Sequence, residues 1–216
     1  MCGRYTLSEM PEWSELHIRI PDELLLRPRY NAAPGAHQLV VTRDPGGQLT
    51  LGELRWGARA GQRMVQNARR ESLGAPVWRE HAGSRCVVPA DGYVEWQKTP
   101  RGKQPLWLRD ASEPGRTLWM AGLVLPDGFV IITTPPSGDV AAVHDRMPAL
   151  LGADVVDAWL SAPWSAARAL LVPAPEGLLA ARLLGARINS SLHDDARCLE
   201  APEPAAQLQL FRDAAR

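Results

Sequence analysis

The sequence predicts an α+β fold with a mainly antiparallel, strongly curved β core and a few short helices. Three observations point there. Apolar runs are short, as strands are, and few extend to helical length. The 19 prolines and 18 glycines are scattered as punctuation between those runs rather than gathered in a linker. Several neighbouring runs are joined by turn sequences of hairpin type.

Taken along the chain, SEMPEWSELH reads as a helix with Ser8 as its cap and Pro11 near its start. QLVVT and QLTLGELRW flank RDPGG and read as a hairpin. ARRESLGAPVWREHA has helical character interrupted at Pro76. RCVVP and YVEWQ flank ADG as a second hairpin, with QPLWLR following after another turn. LWMAGLVL and FVIITT are joined by PDG, a strong hairpin signal. GADVVDAWLS and SAARALL read as short amphipathic helices. No internal repeat is present. Residues 2–200 read as one domain, and 201–216, rich in Ala, Glu and Gln, as a peripheral tail.

At 216 residues the chain is long enough for one substantial core. It contains no run of about 18 apolar residues, so no membrane partner is expected. Glu9, Glu12 and Glu15 arrive too early for a signal peptide, and a cytoplasmic protein is the expectation. Cys2, Cys86 and Cys198 are odd in number and widely spaced, which argues against a disulfide framework. They lack metal-ligand spacing, so no metal or other cofactor is expected. Cys86, in RCVVP, reads as a small buried apolar residue.

Formal net charge is zero, yet charge is unevenly spread. Residues 1–110 carry about four excess positive charges and the remainder about four excess negative ones. Lys98 and Lys103 are the only lysines; every other cation is an arginine.

Five stretches contain polar residues that a core would not request: residues 2–5 (CGRY), 30–35 (YNAAPG), 66–72 (QNARRES), 92–97 (GYVEWQ) and 144–148 (HDRMP). Singly, each has an ordinary explanation. Asn67 suits a helix cap. Glu95, between Val94 and Trp96, suits the outward position of a half-buried strand. His144 suits a turn, and Arg69 and Arg146 suit a solvated surface. Cys2 differs: once Met1 is removed it carries an α-amine and a thiol on adjacent carbons, a pair no other cysteine position offers.

Together, MCGRY, YNAAPG, LRWG, NARRES, VPADGYVEW and HDRMPALL closely resemble, in this order, the signatures of the SOS-response-associated peptidase (SRAP) family. The likeness runs from residue 2 to about residue 150, with a weaker echo in ARINS (186–190). It implies a single domain on a twisted, barrel-like β core that binds single-stranded DNA and crosslinks to abasic sites through the N-terminal cysteine. Carried onto this sequence, it implies Cys2 as the crosslinking residue, with Asn67, Glu95 and His144 as catalytic partners. Arg69 and Arg146 match positions that hold DNA phosphates. Pro34 and Trp56 fall where the family offers bases an apolar surface, and Arg4 and Trp96 join them as DNA-binding candidates. Two departures stand beside these positions. Val94 replaces an expected aromatic residue, and PPSGD lacks an expected Asn.

The chemistry fits the residue types. An abasic site equilibrates with an open-chain aldehyde whose C2′ protons are acidic, so the 3′ phosphate can leave and the strand breaks. The amine of Cys2 can form an imine at C1′, and its thiol can then close a five-membered thiazolidine, a step favoured by proximity. Glu95 and His144 suit the proton transfers of sugar opening and water loss, and Asn67 suits orientation of the amine or sugar. On this reading the partner is single-stranded DNA bearing an abasic site, and the protein acts as a monomer. Three other classes are compatible with the same residues. A thiol peptidase would use Cys2 as nucleophile and His144 as base. A non-covalent single-strand-binding module would need the arginines and Trp56 only. A thiol-based redox regulator would need only an accessible cysteine.

Overall fold

The computed structural model describes residues 3–100 and 102–203. Strands β1 (Arg4–Leu7), β2 (Arg29–Ala32), β3 (His37–Arg43) and β4 (Leu49–Arg55) open the chain. A small hairpin, β5 (Ala58–Ala60) with β6 (Arg63–Val65), leads into β7 (Asn67–Arg69) and the one-turn helix α1 (Pro76–Arg79). The central strands follow: β8 (Arg85–Ala90), β9 (Gly92–Thr99), β10 (Gly102–Asp110), β11 (Leu118–Leu125) and β12 (Gly128–Thr134). Helix α2 (Gly138–Ala141) and strands β13 (Met147–Pro148) and β14 (Leu150–Leu151) precede α3 (Ala153–Ser161), α4 (Trp164–Ala169) and β15 (Leu179–Leu183).

The strands form two main sheets, not a closed barrel. One is antiparallel throughout, in the order β15-β10-β9-β1-β2. The other runs β13-β12-β11-β8-β3-β4, with β14 on β11 and β7 joining β12 in parallel. Strands β8 and β12 are buried along their whole length, as the apolar runs CVVPA and FVII within them favour in central strands. Tyr5, Trp56, Tyr93, Trp119, Phe129 and Trp159 belong to the main core, which draws on both sheets. Val94 and Trp107 pack in a smaller cluster with Leu184, Ile188 and Cys198.

Three expectations change. RCVVP and YVEWQ are not a hairpin. Strand β8 ends opposite Leu118 in one sheet, and β9 begins opposite Thr6 in the other. The chain switches sheets at Asp91, whose buried carboxylate accepts from the Thr6 hydroxyl, the Ser8 amide (2.6 Å) and hydroxyl (2.5 Å) and the Glu9 amide (2.8 Å). Gly92 follows because a Cβ there would overlap the Trp107 indole. Ser8 is thereby committed to Asp91 and caps no helix; only a 3-10 turn, Trp13–Leu16, forms in that segment. The stretch ARRESLGAPVWREHA contains β7, a 3-10 turn (Arg70–Ser72) and α1, because pairing of residues 67–69 with β12 takes precedence over helix. By contrast, GADVVDAWLS is helical as expected, burying Val156, Trp159 and Leu160 at helical spacing.

Trp56 is wholly buried, its ring centroid 5.3 Å from that of Tyr5 on β1. Its indole N–H donates to the Gln66 carbonyl at 2.9 Å, immediately before Asn67. The expectation that Trp56 stacks on a base is therefore corrected: the side chain is a strut between β1 and β7. Trp56→Ala should destabilise by about 3–5 kcal/mol. Trp56→Phe, which removes one of the two donors to the Gln66 carbonyl and leaves the Ile131 amide on it, should cost about 0.5–1.5 kcal/mol. Urea unfolding of both variants checks this, and a near-neutral Trp56→Ala would refute the strut.

Candidate active site

An open cleft of about 920 Å³ lies between the β9–β10 hairpin and residues 141–145, with Asn189 on its rim. Gln97 on β9 ties the two walls by donating to the Ala142 carbonyl at 3.0 Å. Of the residues singled out from sequence, Arg4, Glu95, Trp96 and His144 line this cleft.

Glu95 sits opposite Leu106 in the β9–β10 ladder and is only 2% exposed. It is not the outward position of a half-buried strand, since Tyr93 and Val94 beside it are also buried. Burial pushes its carboxyl pKa up to about 7, and the negative charge of Asp145 pushes the same way. His144 follows the last turn of α2, where its amide donates to the Val140 carbonyl at 2.9 Å. Its Nε2 lies 3.8 Å from a Glu95 carboxyl oxygen. Its Nδ1 lies 3.0 Å from the Arg146 amide nitrogen. Burial lowers the His144 pKa, although Asp145, 2.9 Å from Nδ1, opposes this. Each partner is thus driven toward its uncharged form. Burial works against an ion pair between them.

Arg4 begins β1 opposite Val94, adjacent in register to Glu95. Its guanidinium donates to the Gly3 carbonyl at 2.9 Å, and burial lowers its pKa. Trp96 is half-buried, and its indole N–H donates to Asn189 Oδ1 at 2.7 Å. Cys2, two residues before Arg4, lies outside the described residues.

The other candidates are not among the residues that line this cleft. Asn67 is buried on β7, opposite Ile131 of β12. Arg69, exposed on the same strand, pairs with Thr133, which also pairs with Pro148 of β13. Pro34 is half-buried in the turn after β2, away from the cleft walls. Arg146 is corrected. It is 7% exposed, makes a two-pronged ion pair with Glu71 (3.0 and 2.9 Å) and donates to the Thr133 carbonyl at 2.6 Å. Its guanidinium staples the NARRES segment to the HDRMP segment instead of standing ready for a phosphate. Val94 is enclosed in the smaller apolar cluster, so that departure does not alter the cleft surface.

Sequence reasoning missed Asn189, Gln97, Lys98, Lys103 and Asp145 as cleft residues. ARINS carried the only signal for Asn189. It is positioned from afar: Asn31 Nδ2 donates to the carbonyls of Ile188, Ser190 and His193, and Asp194 accepts from the Tyr30 and Asn31 amides. The buried Cys86 thiol is pushed to a high pKa by desolvation and is no nucleophile. Among the described residues no group of three or more His, Cys, Asp or Glu is placed to hold a metal ion. Nor is any described helix long and apolar enough to cross a membrane.

The model of the family described as SOS response associated peptidase (SRAP) matches residues 1–191. The chain belongs to the SRAP family. Abasic site processing protein YoqW of Bacillus subtilis is 34% identical over 185 residues, covering 74% of this chain and 80% of that protein. Abasic site processing protein YedK of Escherichia coli is 27% identical over 183 residues, covering 74% and 79%. A phage-related protein of Bordetella bronchiseptica has a solved structure that superposes with a TM-score of 0.70 at 28% identity, over 85% of this chain and 94% of that one. A Bacteroides thetaiotaomicron structure, at 20% identity and a TM-score of 0.77, shares the fold across 94% of this chain.

The buried acid makes a stability prediction. A carboxyl whose folded pKa is about 7, against roughly 4.3 when unfolded, favours the fold fully below pH 4.3 and loses that contribution as pH rises through 7. The loss amounts to about 4 kcal/mol, at 1.36 kcal/mol per pKa unit. Glu95→Gln, which cannot ionise, should therefore exceed wild type by about 4 kcal/mol at pH 8.5 and nearly match it near pH 4.5. Denaturant unfolding at the two pH values decides, and an equal gap at both would mean Glu95 ionises freely.

Proposed function

We propose that the protein processes abasic sites in single-stranded DNA by forming a covalent thiazolidine at Cys2. The observation that carries this reading is the buried Glu95 carboxyl 3.8 Å from His144 Nε2 in an open cleft, next in register to the strand that begins at Arg4. The names of the relatives in Bacillus and Escherichia support the substrate class. Removal of Met1, by the Cys2 thiol itself or by an aminopeptidase, comes first and frees the amine.

Chemistry then proceeds by balanced proton transfers. The protonated carboxyl of Glu95 donates to the sugar ring oxygen while a water molecule takes the proton of the C1′ hydroxyl, and the aldehyde opens. His144 assists this step. The Cys2 amine adds to C1′, water leaves, and an imine forms. The thiol sulfur then adds to the imine carbon as its proton passes to nitrogen, closing the ring. C1′ becomes saturated, so the C2′ proton is no longer acidic and the 3′ phosphate is retained. Asn67 orients the amine or the sugar, Arg69 offers an exposed cation to phosphate, and Trp96 offers a ring fixed by Asn189 for stacking.

Mature protein mixed with a single strand bearing one abasic site should give a band that survives denaturation without reduction, and Cys2→Ala should give none. The rate should peak between roughly pH 7 and 8, because the amine must be unprotonated (pKa roughly 8) and Glu95 protonated (pKa about 7). Glu95→Gln should be slower by about 10²–10⁴-fold and should lose the alkaline decline. A stable product from Cys2→Ala, or none from mature wild type, would overturn the proposal. So would Glu95→Gln reacting at the wild-type rate across the pH range.

A further inference from the structure

Lys98 on β9 and Lys103 on β10 are exposed and stand directly opposite each other across the strand ladder. Like charges in that position repel and weaken the hairpin. Neither ammonium has an ion-pair partner among the described residues, although arginines elsewhere on the surface find carboxylates, as Arg29 finds Asp194 and Arg187 finds Asp195. Both line the cleft that holds Glu95 and His144. In a chain whose other 22 cations are arginines, the only two lysines meet at this one point.

The surroundings indicate what would relieve the repulsion. Lys98 lies two residues beyond Trp96 on β9, hence on the same face of the strand, and Lys103 lies two residues before Pro105, the cross-strand partner of Trp96. An aromatic ring held by Asn189 therefore borders a double positive charge. Such a pairing suits a polyanion carrying flat bases, since the ring stacks while the charges track the backbone. The positive charge of Lys98 also lowers the His144 pKa, so the hairpin is electrostatically felt at the reacting centre.

We propose that Lys98 and Lys103 form a two-pronged phosphate subsite that holds the DNA backbone beyond Trp96, along the β9–β10 hairpin. The proposal rests on the reading that a single strand enters this cleft. A phosphate bridging the two ammonium groups replaces a repulsive contact with two attractive ones, so the hairpin is poised for the ligand. Lys103 and Lys98 act on affinity and on the placement of the strand, not on bond making at C1′.

The test uses the full chain and an undamaged 15-nucleotide single strand, titrated at several salt concentrations. Wild type is compared with Lys98→Gln/Lys103→Gln and with Lys98→Arg/Lys103→Arg. Loss of two phosphate contacts should reduce the slope of log K against log salt by about 1.4, at about 0.7 per contact. Between 50 and 200 mM salt, wild-type affinity should then fall about sevenfold more than that of the double glutamine variant. The double arginine variant should keep the wild-type slope. An unchanged slope in the glutamine variant overturns the subsite. Covalent product of wild type with an abasic strand is scored in parallel at saturating DNA. A slope difference without any wild-type product would support the subsite and sink the processing reaction. Product with no slope difference would do the reverse.

Discussion

The arrangement depends on one constraint: the first strand of the chain is not an edge. β1 lies between β2 and β9 and is hydrogen-bonded on both sides. Amino-terminal residues commonly fray unless tied down, and here the tie is the Asp91 carboxylate. It accepts from three amide and hydroxyl donors over Ser8 and Glu9, besides the Thr6 hydroxyl. A buried carboxylate with that many donors is costly to disturb, because loss of the acceptor would leave the donors unsatisfied together. Asp91 is also where the chain passes from β8 to β9, so one residue fixes both the end of β1 and the start of the strand that carries Glu95. The register of Arg4 opposite Val94 follows from that anchor.

A second set of contacts ties the remaining motifs to one another. The two-pronged Arg146–Glu71 pair and the Thr133 contacts hold the segment after α2 against the segment that contains Asn67. Trp56 braces that segment from beneath through the Gln66 carbonyl, with Tyr5 of β1 against its ring. Two residues that a ligand-centred reading would turn outward are thus consumed in scaffolding. Their chemistry explains why either use is available. A guanidinium serves a carboxylate and a phosphate by the same fork geometry, and an indole packs on a tyrosine as readily as on a base.

Much of this was legible in the sequence, and the failures have physical reasons. The PDG hairpin was readable because a two-residue turn between apolar runs is a local signal; Leu125 does pair with Gly128. GADVVDAWLS was readable because its apolar spacing is helical. ADG looked the same as a hairpin turn, but whether the strands on either side share a sheet is decided by Asp91 and its partners some 83–85 residues away. Ser8 failed as a cap for the same reason, its hydroxyl being claimed by a distant acceptor. Glu95 and His144 were legible as chemistry through the motifs that contain them. Lys98, Lys103 and Asn189 were not, since their place in the cleft is set by strand register and by the Asn31–Asp194 clamp rather than by neighbouring sequence.

The electrostatics of the cleft also bear on how a neutral protein would receive a polyanion. An ionised carboxylate at Glu95 would repel an approaching phosphate across a poorly solvated gap, where charge interactions are strong. Burial removes that obstacle near neutral pH by keeping much of the carboxyl protonated. The charges that remain at the mouth are Arg4, Lys98 and Lys103, with Asp145 turned to the His144 ring. Bound phosphate would in turn favour the protonated acid, since a nearby negative charge raises a carboxyl pKa. By linkage, protonating Glu95 and binding the strand then assist each other. The proton needed to open the sugar would be held most firmly when the substrate is present, which is when it is useful. Balanced net charge is no obstacle to such a site, because the field that matters is the one inside the cleft.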